Sequence, residues 1–246
     1  MGPPTEPYYR PDLALVHHKG FGFHAEMCAP GILEILDPVR RRGGLVVEIG
    51  CGSGLLTEKL VAAGHRVVAT DASPAMLELV RESVSGALEI RRLTLPDDPL
   101  PTADAIVGIG HALNYLADAD AVDRGLLALA RALSPGGVLA LDICDREWGS
   151  ARRELTSQGR VGEDWAIVSR FSVPSPDRFV RLMTTFLRRD DGTWRRDDER
   201  HDNVLVDTDG IPALLASEGV EVEVRPSFGA EQLPVGLRAI VGGRPA

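Results

Sequence analysis

The stretch that decides the fold runs from Leu45 to Leu56, LVVEIGCGSGLL. Leu45–Ile49 reads as a short strand buried on both faces, apolar except at Glu48. Three glycines then alternate with other residues, giving Glu48-x-Gly50-x-Gly52-x-Gly54. Glycine is entropically costly unless the backbone needs positive φ or something must approach it closely. The segment from Leu55 to Ala63 follows as a helix stopped by Gly64. A strand, a glycine-rich loop and a helix in that order mark a candidate binding site.

Outward from this unit the alternation of strand and helix is regular. RVVATD predicts a second strand ending at Asp71, and Ser73-Pro74 supplies an N-cap and a proline at the first helical position. Met76, Leu77, Val80 and Val84 share one face of the helix that follows. ALEIRRL is a weaker third strand, and ADAIVGIG a fourth that ends at Gly110. A helix from Asp120 to Leu133, a Ser134-Pro135-Gly136-Gly137 turn and the strand VLALDIC come next. Apolar strands separated by helices predict an α/β fold, a doubly wound and mostly parallel sheet.

The flanks read differently. Residues 1–38 are expected to form an N-terminal arm and a lid helix, broken near Pro30-Gly31. Residues 39–146 are the α/β core. Within 147–206, the segments 165–173, 178–188 and 193–206 resemble long polar strands with no helices between them, and RRDDGTW has the Asp-Gly of a hairpin turn. This predicts an antiparallel insertion after the fifth strand. Residues 207–246 return to the core with a helix and two last strands.

Composition narrows the partners. A formal net charge of −9 argues against holding nucleic acid by its backbone. The three cysteines, Cys28, Cys51 and Cys144, are too few and scattered for a disulfide framework or metal knuckle, which points to a reducing compartment. No window approaches the roughly 20 apolar residues of a membrane span. The N-terminal residues lack a cationic start followed by an apolar run, so a cytoplasmic setting is expected.

The ligand follows from the loop chemistry. A dinucleotide fold uses Gly-x-Gly-x-x-Gly to seat a pyrophosphate at a helix N-terminus. Here the third glycine comes one residue early and an acid precedes the first, an arrangement suited to a cationic group. Asp71, at the end of the second strand, is placed to take a ribose diol. A ligand with a ribose, a positive charge and no phosphate is required, and S-adenosylmethionine has these features. VVEIGCGSG, VVATDASPAML and LSPGGVLALDI together resemble the class I S-adenosylmethionine-dependent methyltransferases over residues 40–145, and more loosely over the last two strands.

The resemblance implies a seven-stranded sheet with a reversed last strand. It implies that Glu48, Gly50, Cys51, Gly52 and Gly54 wrap the amino-acid part of the cofactor, with Asp71 on the ribose hydroxyls and Ala72 and Met76 beside ribose and adenine. Leu93 and Thr94 stand where many relatives carry an adenine-binding acid. Gly110, His111 and Asn114 would lie along the cofactor at the end of the fourth strand.

For the methyl acceptor, His111 is the leading general-base candidate, with hydrogen bonding to backbone or packing beside the cofactor as its competing role; His201, on an inserted strand, is the second, facing either the pocket or solvent. Tyr8, Tyr9, Phe21 and Phe23 are expected to form a lid, and Asp142 or Asp145, at the end of the fifth strand, to contact substrate, with solvated loop acids as the competing reading. The histidines of HHKGFGFH point in different directions with no repeating acid or cysteine, so no metal is expected. A cap placed after the fifth strand resembles that of small-molecule methyltransferases, including those acting on glycine and on amino sugars. The expectation is methyl transfer to O or N of a small metabolite, in biosynthesis, with the hairpin free to pair subunits in a homodimer. The rival readings are a cofactor-binding sensor or scaffold without catalysis, and a nicotinamide-dependent oxidoreductase.

Overall fold

A computed structural model describes residues 8–246. Strand β1 (Leu45–Ile49) sits near the middle of a seven-stranded sheet and pairs in parallel with β2 (Arg66–Asp71) and β4 (Ala103–Gly108). β3 (Glu89–Arg92) extends the sheet beyond β2, and β5 (Leu133–Cys144) extends it beyond β4. The order is completed by β11 (Leu237–Gly243), antiparallel to β5, and then β10 (Glu221–Arg225) at the edge. The chain reverses its direction of winding between β1 and β4, the crevice where open α/β sheets bind ligands.

The unbroken apolar character of β1 has a simple cause. Val47 and Ile49 enter one core with Leu126 and Leu129 of α5 (Ala119–Ala132). Val46 enters the other, with Ile32 and Leu36 of α2 (Phe23–Arg41) and Leu56 and Leu60 of α3 (Leu55–Ala62). Both faces are therefore apolar, as parallel sheets require. Burying a side chain such as Leu126, fully inaccessible here, contributes about 1.5–3 kcal/mol.

Two expectations are corrected. Helix α2 runs unbroken through Pro30 and Pro38. Both prolines lie on its exposed side, where carbonyls that lose a partner reach water, while Cys28, Ile32, Leu36 and Val39 anchor the opposite face. The insertion has four strands, not three: β6 (Ser157–Val161), β7 (Trp165–Ser175), β8 (Arg178–Arg188) and β9 (Trp194–Val204), paired antiparallel in that order. β6 is an exposed edge strand with no apolar alternation, which hid it from pattern reading.

The cap joins the core through α1 (Pro11–Gly20). Leu13 and Val16 pack with Trp165, Ile167, Met183 and Leu187 of β7 and β8. A carbon added at Gly20 would lie 2.4 Å from the Trp165 ring, so the end of α1 sits directly on the cap. The expected arm begins outside the described residues; from Tyr8 to Arg10 it is bound to the cap, with Tyr9 and Arg10 N–H donating to Glu199 at 2.9 and 2.8 Å.

Gly31 separates helix propensity from packing. In a helix interior alanine is favoured over glycine by about 1 kcal/mol. A carbon at Gly31, however, would lie 2.7 Å from the Gly229 backbone nitrogen. Gly31→Ala is expected to lower stability by about 1–3 kcal/mol in urea unfolding, opposite to the propensity effect.

Candidate functional site

A cleft of about 1120 Å³ opens at the carboxyl ends of β1, β2 and β4. Its floor is built from the turns that follow these strands: Gly50 and Gly52, then Asp71 and Ala72, then Gly110. Met76 and Leu93 add apolar wall and Thr94 a polar edge. Tyr8 and Tyr9 from the arm and Arg178, Arg200 and Asp202 from the cap form the far side.

The glycine loop has two distinct demands. Gly50 has φ +59°, and a side-chain carbon there would meet Ala112 Cβ at 2.5 Å. Gly52 has φ +54°, and a carbon there would project into open space, which a ligand lying along the loop could use. Asp71 fixes the loop, its Oδ2 accepting Gly52 N–H at 2.9 Å and its Oδ1 accepting Ser73 N–H at 2.8 Å. Burial raises the Asp71 pKa, opposed by those backbone N–H groups. Ser73 caps α4 (Pro74–Ser83) by accepting Met76 N–H, and its hydroxyl donates to Tyr9 O at 2.8 Å, tying the arm to the cleft rim.

The structure moves several expected residues out of the cleft. Glu48 is 1% exposed and lies behind the loop, accepting the Thr57 hydroxyl at 2.7 Å. Burial, with a smaller contribution from Asp71, raises its pKa to about 8 despite that hydrogen bond, so it does not offer the exposed anion its position suggested. Cys51 is buried beneath the loop and Gly54 caps α3 with a left-handed backbone. Asn114 is fully buried: its amide donates to the carbonyls of Cys144 (2.9 Å) and Val204 (2.6 Å), and its oxygen accepts Cys144 N–H at 2.8 Å. It clamps the core to the cap.

His111 does not line the cleft either. Its left-handed backbone (φ 53°) starts the 3₁₀ turn Ala112–Tyr115, and its ring stacks on Tyr115 with centroids 5.6 Å apart and also meets Trp148. Burial, with the nearby Arg181 charge, lowers its pKa to about 3. His201 is fully buried, 2.9 Å from Glu199 and enclosed by the rings of Tyr8, Tyr9 and Tyr115. Phe21 packs in the α1–cap cluster and Phe23 points largely to solvent, so of the four expected lid aromatics only Tyr8 and Tyr9 reach the cleft.

Asp145 caps α6 (Arg146–Ala151), accepting Glu147 N–H, and pairs with Arg238 at 2.7 Å; it is structural rather than substrate-facing.

Asp142 is likewise structural rather than substrate-facing, and His17 and Tyr115 take positions that pattern reading did not assign. Asp142, 2% exposed, accepts Gly110 N–H at 2.9 Å and His111 N–H at 2.6 Å, and pairs with His24 Nε2 at 2.8 Å. His17 lines the cleft and is held near pKa 4, first by burial and then by Arg181. Tyr115 also lines it. The only sequence signal for this network was the clustering of aromatic and histidine residues in GHALNYL and HHKGFGFH. Among the described residues no group of three His, Cys, Asp or Glu is gathered to hold a metal, and no helix is long and apolar enough to cross a membrane.

This sheet order, switch-point cleft and glycine loop are those of the class I S-adenosylmethionine-dependent methyltransferase fold. Residues 46–137 match the methyltransferase domain family. A sugar N-methyltransferase, KedS8 from Streptoalloteichus sp., superposes over 100% of this chain and 99% of its own, with TM-score 0.77 and 22% identity. An S-adenosylmethionine-dependent methyltransferase from Clostridium acetobutylicum covers 95% and 98%, with TM-score 0.78 and 16% identity. The uncharacterized methyltransferase YrrT of Bacillus subtilis is 41% identical over 92 residues, 36% of this chain and 42% of YrrT, so the match spans less than half of that relative. Residues 46–137 thus match a methyltransferase domain, and the whole chain, antiparallel cap included, has the fold of these solved methyltransferases.

The Asp142–His24 pair yields a signed test. For His24, burial pushes the pKa down, but the hydrogen bonds and charges of Asp142 and Cys28 outweigh it and raise the value to about 10 from 6.5. Its folded value is above its unfolded one, so its stabilisation is complete below about pH 6.5 and is lost as pH rises through about 10. Asp142→Asn should cost about 3–5 kcal/mol at pH 6. Urea unfolding should show the gap between wild type and variant narrowing as pH approaches 10.

Proposed function

We propose that this protein transfers the methyl group of S-adenosylmethionine to an oxygen or nitrogen of a small metabolite by in-line displacement. The observation that carries the reading is the roofed cleft: the floor presents Gly52 and Asp71, and the arm and cap stand opposite at Tyr9, Arg178 and Asp202. The residues present fit the cofactor. Asp71 faces the cleft from the end of β2, where a carboxylate can accept ribose hydroxyls, and Ala72, Met76 and Leu93 offer an apolar adenosine wall. The open space above Gly52 leaves room for the amino-acid part.

When bound, the cofactor supplies an electrophilic methyl on a sulfonium; its C–S bond breaks as the acceptor lone pair forms the new bond, and the acceptor releases a proton. The protein's part is to align the acceptor and exclude water. The cap's side chains line the cleft rather than fill it, which favours catalysis over a sensor or scaffold with a blocked pocket. A walled cleft suits a compact acceptor rather than a polymer, and the full-length superposition on KedS8, a sugar N-methyltransferase, supports a metabolite of that size.

With pKa values lowered to about 3 and 4, the His111 and His17 imidazoles are weak bases, and the proposal does not rest on proton abstraction by either. Both are uncharged from about pH 5 upward and present acceptor nitrogens rather than charge. The Gly-x-Gly-x-Gly spacing continues to disfavour a nicotinamide cofactor.

Asp71→Ala is expected to weaken S-adenosylmethionine binding roughly 10- to 100-fold, as loss of a charged hydrogen-bonding group would. Calorimetric titration of S-adenosylmethionine and NAD into both proteins checks this, followed by a methyl-transfer screen over amino, hydroxy and carboxylated metabolites. Preferential NAD binding would overturn the proposal.

A further inference from the structure

Resting on the reading of this cleft as the acceptor site, we propose that Arg181, with the hydroxyls of Tyr9 and Tyr115, recognises an anionic oxygen group, a carboxylate or phosphate, on the methyl acceptor.

Arg181 lies in the middle of β8, opposite His201 on β9, with the buried Phe179 and Met183 two residues to either side. This is the face the cap turns toward the core. Among the described residues no carboxylate lies within 4.0 Å of its guanidinium, in contrast to Arg195 and Arg200 of the same cap, paired with Asp12 of α1 and with Asp202. One guanidinium N–H donates to the Tyr115 hydroxyl, the group also interacts with the Tyr9 hydroxyl, and the buried Nε has no partner. An arginine carries five N–H donors, so most of its donor capacity is uncommitted. A buried charge without a counter-ion is strongly unfavourable unless something else completes it.

Counting hydrogens leads to the same place. The Tyr9 and Tyr115 hydroxyls are 2.9 Å apart, so one of their two protons lies between them. The Tyr115 oxygen already accepts from Arg181. The second hydroxyl proton has no acceptor among the described residues, and both tyrosines line the cleft. Arginine and tyrosine together therefore present donors in excess and no anion. His17, His111 and His201 surround them with a buried, unpartnered Nδ1 each, and burial together with the Arg181 charge keeps all three neutral. The acids nearest this wall are otherwise engaged, Glu199 with the Tyr9 and Arg10 N–H groups and His201, and Asp202 with Arg200; neither forms an ion pair with Arg181.

A carboxylate or phosphate matches the planar guanidinium with two parallel hydrogen bonds and accepts the tyrosine proton as well. The group is assigned to the acceptor rather than to the cofactor's own carboxylate because Arg181 is on the cap, reached through Tyr115, and not on the turns that carry Gly50, Gly52 and Asp71.

The test uses the full chain as wild type, Arg181→Leu, Arg181→Lys and Tyr115→Phe. Thermal unfolding is followed against inorganic phosphate and, separately, acetate at constant ionic strength, and S-adenosylmethionine affinity is measured calorimetrically for each protein. The expected result is a wild-type melting temperature that rises with one of the two anions, which also tells phosphate from carboxylate recognition. Arg181→Leu and Arg181→Lys should raise the apparent Kd for that anion at least about tenfold, and Tyr115→Phe less. Arg181→Leu should melt no lower than wild type without anion, because an uncompensated buried charge has gone. If Arg181→Leu does not fold, the Lys and Phe variants carry the comparison.

The inference is overturned if neither anion shifts the wild type, or if the Arg181 variants keep the shift. It is also overturned if their main defect is loss of cofactor affinity, since the carboxylate would then be the cofactor's. Wild type that binds an anion but no S-adenosylmethionine would instead defeat the functional reading while leaving the anion site standing.

Discussion

The carboxylate of Asp142 is the constraint on which the site depends. It is buried at the end of β5, and it gathers Gly110 N–H and His111 N–H from the turn after β4 and His24 from α2. Those two backbone N–H groups would otherwise be unsatisfied where the chain leaves the sheet, a costly condition inside a protein. With them held, His111 adopts its left-handed backbone and the 3₁₀ turn follows. Asn114 on that turn reaches Val204 of β9, and Tyr115 reaches Arg181 of β8. One acid thus links the sheet, the helix in front of it and the cap above it.

A second carboxylate, Asp71, does the equivalent work on the other side of the switch point. By accepting Gly52 N–H and Ser73 N–H it sets the curvature of the glycine loop and the start of α4 together. Ser73 then donates to Tyr9 O, and Tyr9 N–H donates to Glu199 on the cap. Tyr9 is thus tied to the core through its carbonyl and to the cap through its N–H, and the rings of Tyr8 and Tyr9 pack against those of Tyr115 and His201.

Much of the core was legible in the chain. The apolar run at Leu45–Ile49, the glycine spacing after it and Ser73-Pro74 are local signals, and each appears in the structure as a strand, a positive-φ loop and a capped helix start. The cleft residues nearest to those signals, Gly50, Gly52, Asp71, Ala72, Met76, Leu93, Thr94 and Gly110, line it as their positions suggested. The misplacements have a common origin. Glu48, Cys51, His111, Asn114 and Asp145 are adjacent in sequence to residues of the site, but one step along a strand or turn sends a side chain to the opposite face. Glu48 finds Thr57 there, Asn114 finds Cys144 and Val204, and Asp145 finds Arg238.

What the sequence determined by itself was the order and type of the core elements and the chemistry of the glycine loop, because periodicity, capping and positive-φ demands act over a few residues. What only the tertiary structure decided was the far wall of the cleft. Tyr9 and Tyr115 are 106 residues apart and meet through their hydroxyls, Arg181 arrives from a separate sheet, and Glu199 lies 190 residues beyond the backbone N–H of Tyr9 that it accepts. Contacts at such separation depend on how cap and core pack against α1, and no local pattern encodes them. That is why the floor of the cleft could be read along the chain, while its far wall became visible only in three dimensions.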